Sequence, residues 1–257
     1  MVALAVTGLG RNTLQIVGEM GRMMVFLIST VAWMVRPPFR LLQLLKQMHF
    51  IGVKSLFVIV LTGAFTGMVL GLQGYYSLRK FGAEGLLGSA VALSIIRELG
   101  PVLSALMVTG RAGSAMTAEI GIMRITEQID ALDTMAVSPM QYLIAPKVLA
   151  SILIMPMLCS IFDLIGIYGG HLVGVELLGV SSGAYMNSME SSVEWKDVYG
   201  GFLKAVSFGL IVSWVCTYKG YNTTMSAEGV GTATTEAVVL SSVLILVWDY
   251  FLTSVLM

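Results

Sequence analysis

The sequence predicts an all-α polytopic membrane protein with about five transmembrane helices, an amino-terminal interfacial or elbow helix, and a cytoplasmic coupling helix. Composition is the first reason, because 56% of the 257 residues are hydrophobic and only 12% are charged. Soluble domains carry roughly 25% charged residues. The second reason is the recurrence of apolar runs near the length that a helix needs to cross a bilayer. The formal net charge of zero offers no basic surface for nucleic acid.

The chain is expected to form one permease domain over residues 1–257. Its first segment, 10–45, contains only a short apolar run from Met23 to Val35, so we expect it to lie on the membrane surface. A signal peptide is the alternative, although no Ala-x-Ala cleavage site follows. The predicted spans are residues 55–78, 86–110, 143–170 (interrupted by Pro146 and Pro156), 199–219 and 237–257.

The positively charged residues predict the orientation of these spans, because Lys and Arg accumulate in cytoplasmic segments. The predicted outer segments hold three such residues, Arg79, Lys80 and Lys196. The predicted inner segments hold ten: Arg11, Arg22, Arg36, Arg40, Lys46, Lys54, Arg111, Arg124, Lys147 and Lys219. We therefore expect a cytoplasmic amino terminus and, after five spans, a periplasmic carboxyl terminus.

The first span carries Gly63, Gly67 and Gly71 at intervals of four residues. Residues four apart share a helix face, and small residues allow close approach of a neighbouring helix. The stripe indicates a packing surface, either inside one bundle or in a dimer.

The second span carries Arg97 and Glu98 inside an apolar run, close to the predicted bilayer midplane. Charges at this depth are costly and usually functional. Two readings remain open, a structural ion pair between helices or a polar patch in a cavity that water or a lipid headgroup can enter. Pro101 is expected to kink the helix and to free a carbonyl.

An amphipathic helix is predicted over residues 118–137. Its apolar face contains Ala118, Ile122, Ile125, Ile129, Leu132 and Ala136. Its polar face is acidic, which suits a protein partner better than anionic lipid. The predicted partner-binding residues are Glu119, Arg124, Glu127, Asp130 and Asp133. A solvated face without a partner is the alternative.

Three further charges fall inside predicted spans: Asp163, Lys204 and Asp249. Lys204 and Asp249 lie at similar depths from the predicted outer ends of consecutive spans, so their side chains are expected to meet. Lys204 reaching the outer interface alone is the alternative.

No set of residues in the sequence supports catalysis or nucleotide binding. The chain contains no HExxH or CxxC motif and no Gly-Lys dipeptide, which a phosphate-binding P-loop requires. We expect no enzymatic activity, no metal and no cofactor. Uphill movement of a substrate would need an ion gradient or an ATPase on another subunit.

Four segments together carry a specific resemblance: GMVLGLQGY (67–75), IRELGPV (96–102), GRAGSAMTAEIG (110–121) and MRITEQIDALDTMAVSP (123–139). They resemble the MlaE-type permeases, the membrane subunits of ABC transporters that maintain lipid asymmetry of the outer membrane in Gram-negative bacteria. The resemblance extends from about Lys46 to the carboxyl terminus.

The resemblance implies a homodimer in the inner membrane, with phospholipid in a cavity between the two permeases. It implies a cytoplasmic ATPase docked on the coupling helix, a STAS-domain protein bound through that ATPase, and a periplasmic hexamer of MCE-domain subunits. The residues that match the family's lipid cavity are Arg97, Glu98, Lys204, Asp249, Leu70 and Leu78. Asp163 matches no motif of the family.

The main hypothesis is therefore a phospholipid-transporting ABC permease driven by a separate ATPase. A proton-coupled secondary transporter is one rival, with Glu98 and Asp249 as proton sites, although no inverted repeat is visible. A membrane anchor that transports nothing is the other, and it would not need charges inside the membrane.

Overall fold

The computed structural model describes the backbone of residues 2–34, 36 and 41–256, and their side chains from residue 14 onward except residue 16. All regular structure in these ranges is helical. Arg40 and Met257, which the sequence assigns to the elbow segment and the last span, lie outside the described residues. The helices are α1 Val2–Met34, α2 Leu41–Ile51, α3 Val53–Arg79, α4 Leu87–Ser94, α5 Gly100–Val108, α6 Ser114–Ile125, α7 Gln128–Thr134, α8 Ala145–His171, α9 Ser182–Ser192, α10 Trp195–Tyr221 and α11 Ala227–Leu256.

Six helical runs among the described residues are long and apolar enough to cross a membrane. This confirms the predicted polytopic all-α class. The runs are Val17–Met34, Leu41–Arg79, Glu84–Ile125, Met140–Leu177, Trp195–Tyr221 and Ala227–Leu256. The first run is the apolar half of α1, a helix that begins at Val2 and ends at Met34, whereas the predicted segment runs from 10 to 45. The interfacial position of α1 stays a prediction.

The third run, Glu84–Ile125, contains the second predicted span and continues well past its predicted end at residue 110. Two π-helical turns, Ile95–Leu99 and Thr109–Gly113, join α4, α5 and α6 into one helical rod. A π turn accommodates an extra residue without ending the helix. Pro101 and Gly110 therefore lie inside continuous helix, and α6 forms the last part of this run.

α3 packs along α8 through the predicted glycine stripe. A side chain at Gly67 would overlap the carbonyl oxygen of Gly166, and a Cβ at Gly71 would lie 2.9 Å from the carbonyl oxygen of Gly170. This contact is inside one chain. α8 itself runs without a break, because Pro146 sits in its first turn, where no intrahelical N–H is needed, and the helix continues through Pro156. The predicted interruptions are therefore wrong.

The predicted amphipathic helix over 118–137 is two helices. α6 and α7 are separated at Glu127, which adopts the left-handed conformation with a φ of 56°. This turn ends the helical periodicity, so residues on either side no longer share one face. Ile122 is 54% exposed although it belongs to the predicted apolar face, whereas Ile129 is buried.

The two segments between the last three predicted spans are largely helical. Residues 171–198 contain a π turn, Leu172–Leu177, then α9 and the start of α10. Of residues 220–236, only 222–226 separate α10 from α11. The Ser226 hydroxyl accepts a hydrogen bond of 3.0 Å from the backbone N–H of Gly229, which caps the first turn of α11.

Candidate functional site

A polar cavity of about 350 Å³ lies where the second span meets the first turns of α10 and the last turn of α11. Its volume falls within the usual range of ligand pockets. Its lining combines cations, carboxylates and glycines: Arg97, Glu98, Glu194, Lys196, Asp197, Gly200, Gly201, Lys204, Thr253 and Leu256. Three of the six predicted substrate-binding residues therefore line one cavity.

Lys204 is the buried centre of this site, with only 3% of its side chain exposed. Its ammonium donates to the backbone oxygen of Arg97 at 2.9 Å, to Glu98 Oε2 at 2.8 Å and to Thr253 Oγ1 at 2.7 Å. A lysine ammonium has three N–H groups, so all of them are used within the protein. Lys204 can bind a further anion only by giving up one of these bonds.

Asp249 is a second carboxylate beside Lys204. Its Oδ1 lies 3.0 Å from the Lys204 ammonium, which confirms the predicted contact. That oxygen is buried and accepts no hydrogen bond, because the three donors of Lys204 point to other acceptors. The carboxylate is thus held by charge, while Thr253 accepts from Lys204, donates to Glu98 Oε1 at 3.0 Å and so links these two residues.

The Arg97 carbonyl is available to Lys204 because of the proline four residues later. In an α-helix this oxygen would accept from the N–H of residue 101. Pro101 has no N–H, so the lysine ammonium takes the place of the missing donor. The predicted free carbonyl is therefore present and occupied.

Arg97 has a different environment from Lys204. Its Nε donates to Asp197 Oδ1 at 2.7 Å, and 38% of its side chain remains exposed. Among the described residues, no acceptor contacts its two terminal guanidinium nitrogens. Arg97 can therefore offer free N–H donors to a ligand in the cavity, whose lining also includes the exposed cation Lys196.

Asp197 is a site residue that the sequence placed in an outer polar stretch. It is held in the first turn of α10 by a reciprocal cap, in which its Oδ2 accepts from the backbone N–H of Glu194 at 3.1 Å. An acidic residue three positions after a capping residue is a known signal for a helix start. That signal would have moved the start of the helix to residue 195 and brought Asp197 toward Arg97.

Leu70 and Leu78 do not reach this cavity. Both are partly buried against the main hydrophobic core, on α3. In a single chain they do not line the cavity, so their contact with lipid stays a prediction.

The predicted partner-binding acids fall into two groups, those paired with a cation of the same chain and those without such a pair among the described residues. Glu119 accepts a 2.6 Å hydrogen bond from Lys147, whose side chain is fully buried. Asp130 is paired with Arg124 at 2.7 Å. Glu127 and Asp133 are exposed and have no ion pair within the described residues. These last two are the acids most available to a partner.

Asp163 lies on α8 against Gly100 of the second span. A side chain at Gly100 would overlap its Oδ1. This oxygen is buried without a hydrogen-bond partner, and Oδ2 has only a weak contact of 3.7 Å with the Cys159 thiol. A buried carboxylate without donors is unfavourable, so the structure gives no reason to expect Asp163 to stabilise the fold as an anion.

Replacing Asp163 by asparagine should therefore leave the fold intact or raise its stability, by up to about 1 kcal/mol. The amide has nearly the same shape and removes the cost of a charge. Thermal unfolding of both proteins in one detergent measures the difference. A clear drop in Tm would show that the carboxylate has a partner that a single chain does not contain.

Comparison with known proteins gives consistent matches over the whole chain. The family described as Permease MlaE matches residues 44–255. The chain is 45% identical to the intermembrane phospholipid transport system permease protein MlaE of Haemophilus influenzae, over 100% of this chain and 98% of that protein. It is 44% identical to a probable ABC transporter permease protein of Rickettsia bellii, over 95% of each chain. It is also 37% identical to protein TRIGALACTOSYLDIACYLGLYCEROL 1 of Arabidopsis thaliana, over 82% of this chain and 60% of that protein.

Proposed function

Because the chain belongs to the MlaE permease family, we propose that it is the membrane subunit of an ABC transporter that moves phospholipid between the inner membrane and periplasmic lipid carriers. The observation that supports this most directly is the free guanidinium fork of Arg97 in the polar cavity. Guanidinium binds phosphate through paired hydrogen bonds. A phospholipid headgroup supplies that phosphate.

Within this proposal, Arg97 and Lys204 have separate roles. Arg97 contacts the lipid phosphate, and its Nε bond to Asp197 orients the fork. Lys204 is a positioning residue that holds α10 to the second span and to α11 through its three hydrogen bonds. Of the two cations that match the family's lipid cavity, Arg97 is thus the one to which we assign the phosphate.

The partners follow from the family and from the absence of a nucleotide-binding motif. We propose a homodimer, driven by a cytoplasmic ABC ATPase that contacts α7 and the segment around Glu127. We also propose a STAS-domain protein bound through the ATPase and a periplasmic MCE-domain hexamer. The membrane is the bacterial inner membrane, with the amino terminus cytoplasmic and the carboxyl terminus periplasmic. The permease carries out no hydrolysis itself.

The energy source separates this function from its rivals. The complex in liposomes is expected to transfer fluorescent phospholipid to a lipid acceptor only when ATP and a hydrolysis-competent ATPase are both present. Transfer driven by a proton gradient without ATP would favour a secondary transporter. ATP hydrolysis without any lipid transfer would favour a membrane anchor.

If Arg97 contacts the lipid phosphate, removing its charge should weaken phospholipid binding. Arg97→Gln should raise the half-saturating concentration of phospholipid about ten-fold, the effect of about 1.4 kcal/mol, because one charge-assisted contact is lost. Arg97→Lys should recover only part of it, since an ammonium lacks the planar fork.

Arg79→Gln provides the control for the same assay, because Arg79 is an exposed cation at the end of α3 and outside the cavity. It should bind lipid like the unmodified protein. Equal phospholipid binding by Arg97→Gln and Arg79→Gln would contradict the proposed contact between Arg97 and the lipid phosphate.

The two unpaired acids near α7 give a prediction for docking. Glu127→Lys combined with Asp133→Lys should reduce recovery of the ATPase in co-purification several-fold. Asp130 is left unchanged because its reversal would also break its ion pair with Arg124.

Glu190→Lys is the matched control, since Glu190 is an exposed acid on α9, far from α7 in the chain. It should leave the complex intact. Normal recovery of the ATPase with the double variant would argue that this acidic surface is only solvated.

A further inference from the structure

A second polar cavity, of about 660 Å³, lies where α1, α10 and α11 meet. It is at the other end of α10 from the candidate site, because Lys219 is fifteen residues beyond Lys204, which is about 22 Å along a helix. The cavity wall contains both signs of charge and several hydroxyls. Its lining residues are Glu19, Arg22, Tyr218, Lys219, Asn222, Thr223, Thr224, Ser226, Glu228, Gly229, Thr232, Ala233 and Glu236.

Two apolar grooves continue from this cavity between α1 and α11, with α10 as their floor. The first has a volume of about 510 Å³ and shares Glu19, Lys219 and Glu236 with the polar cavity. Its other lining residues are Met20, Met23, Thr235, Val239, Leu240 and Val243. The second has a volume of about 280 Å³ and is lined by Leu27, Ser207, Leu210, Ile211, Trp214, Leu244, Val247, Trp248 and Phe251. We call the polar cavity and both grooves together the α1–α11 seam.

One ion-pair bridge crosses the seam where its polar and apolar parts meet. Lys219 on α10 contacts Glu19 of α1 at 2.8 Å and Glu236 of α11 at 3.0 Å. Beyond this bridge, Trp214 donates from Nε1 to the backbone oxygen of Met23 at 2.9 Å. These contacts join α1 to α10 and α11 while leaving the groove open on its outer side, where Val239 and Val243 are more than half exposed.

We propose that the α1–α11 seam binds one phospholipid molecule of the surrounding bilayer, with its headgroup in the polar cavity and its acyl chains in the grooves. Polarity along the seam changes in one direction on all three helices, from charged residues near one end of each membrane-spanning run to apolar residues toward its middle. This is the order of a phospholipid in a membrane leaflet. Arg22 and Lys219 face the phosphate, and Glu228 faces a headgroup amine where one is present.

The other possible occupants fit the seam less well. A peptide segment lying in the groove would bring unpaired backbone groups into the hydrocarbon region. A helix is about 10 Å across and cannot enter grooves of these volumes. A second copy of the chain would have to cover the charged cavity as well as the apolar grooves. The seam is separate from the Arg97 cavity, so this proposal does not depend on the transport site.

Trp214 provides a probe inside the second groove. The experiment uses a complex in which phenylalanine replaces Trp33, Trp195 and Trp248 of the permease. Trp214 is then the remaining tryptophan of this subunit. The tryptophans of the partner subunits are also replaced by phenylalanine. Phospholipid with brominated acyl chains is then titrated into the detergent-solubilised complex. We expect quenching of Trp214 fluorescence that saturates, as binding at a site requires.

Two groove-filling variants test the location, Val243→Phe and, nearer the polar cavity, Val239→Phe. Each should raise the half-saturating lipid concentration roughly ten-fold. Val255→Phe is the matched control, because Val255 is an 82% exposed residue of the same helix outside the seam. Arg97→Gln should leave this titration unchanged, which separates the seam from the transport site.

Each of three results would overturn the proposal. Quenching that rises without saturation would mean that Trp214 only senses bulk lipid or detergent. Equal half-saturation in Val243→Phe, Val239→Phe and Val255→Phe would place the lipid elsewhere. Absence of quenching would mean that no lipid enters the seam. If size-exclusion chromatography with light scattering also gave a lower mass for the Val243→Phe complex, the seam would be assigned to contact with a second copy of the chain.

Discussion

Alanine at Gly67 is expected to prevent α3 from packing against α8. The added methyl group would overlap the backbone oxygen of Gly166, and a backbone atom within a helix cannot rotate away as a side chain can. The helices would have to separate along their whole contact, so we expect a loss of more than about 3 kcal/mol of stability. Leucine at the same position should prevent recovery of folded protein.

Gly231→Ala is the matched control, because an added Cβ at Gly231 on α11 meets no atom within 4 Å. Alanine favours helix over glycine by about 1 kcal/mol, so this variant should be unchanged or slightly more stable. Thermal unfolding and size-exclusion profiles in one detergent compare the two. Similar Tm values for Gly67→Ala and Gly231→Ala would mean that α3 and α8 are not in this close contact.

Removal of the Lys204 charge is expected to have the second largest effect. Lys204→Met keeps the length of the side chain but leaves Glu98 and Asp249 beside one another without a cation, and it leaves the Arg97 carbonyl without a donor. Removing one partner of a buried ion pair typically costs about 3–5 kcal/mol. We therefore expect a large fall in Tm and loss of lipid transfer.

Asp249→Asn should cost clearly less than Lys204→Met, because Lys204 keeps all three of its hydrogen bonds and its pair with Glu98. Exchanging the charges of residues 204 and 249 should recover only part of the loss, since a carboxylate at 204 would face Glu98. The order of Tm values tests this network. A Lys204→Met protein as stable as Asp249→Asn would show that Lys204 is not its centre.

The sequence predicts those parts of the site that depend on how far a residue lies from the end of its span. Lys204 and Asp249 meet because each lies a fixed number of residues from a span end, and the rise per residue of a helix is constant. Asp197 was missed because its contact with Arg97 depends on where α10 begins, and the local cap at Glu194 sets that boundary. Apolar composition alone does not locate such a boundary.

The division of the predicted amphipathic helix has a similar cause. Spacing of Ile122, Ile125 and Ile129 fits one helix face, but a single residue with positive φ at Glu127 changes the chain direction. The sequence gives no signal for this conformation at a glutamate, because L-residues with a Cβ rarely adopt it. The π turns in the second span were likewise not predicted, since they alter the count of residues per turn without changing the apolar pattern.

Pro101 has a chemical consequence although its side chain carries no functional group. Alanine at this position would restore an N–H four residues from Arg97, which would compete with the Lys204 ammonium for the carbonyl oxygen. One donor of Lys204 would then become idle and could turn toward an anion in the cavity. The imino acid thus determines whether Lys204 keeps all its donors within the protein or adds one to those that Arg97 and Lys196 can offer to an anion in the cavity.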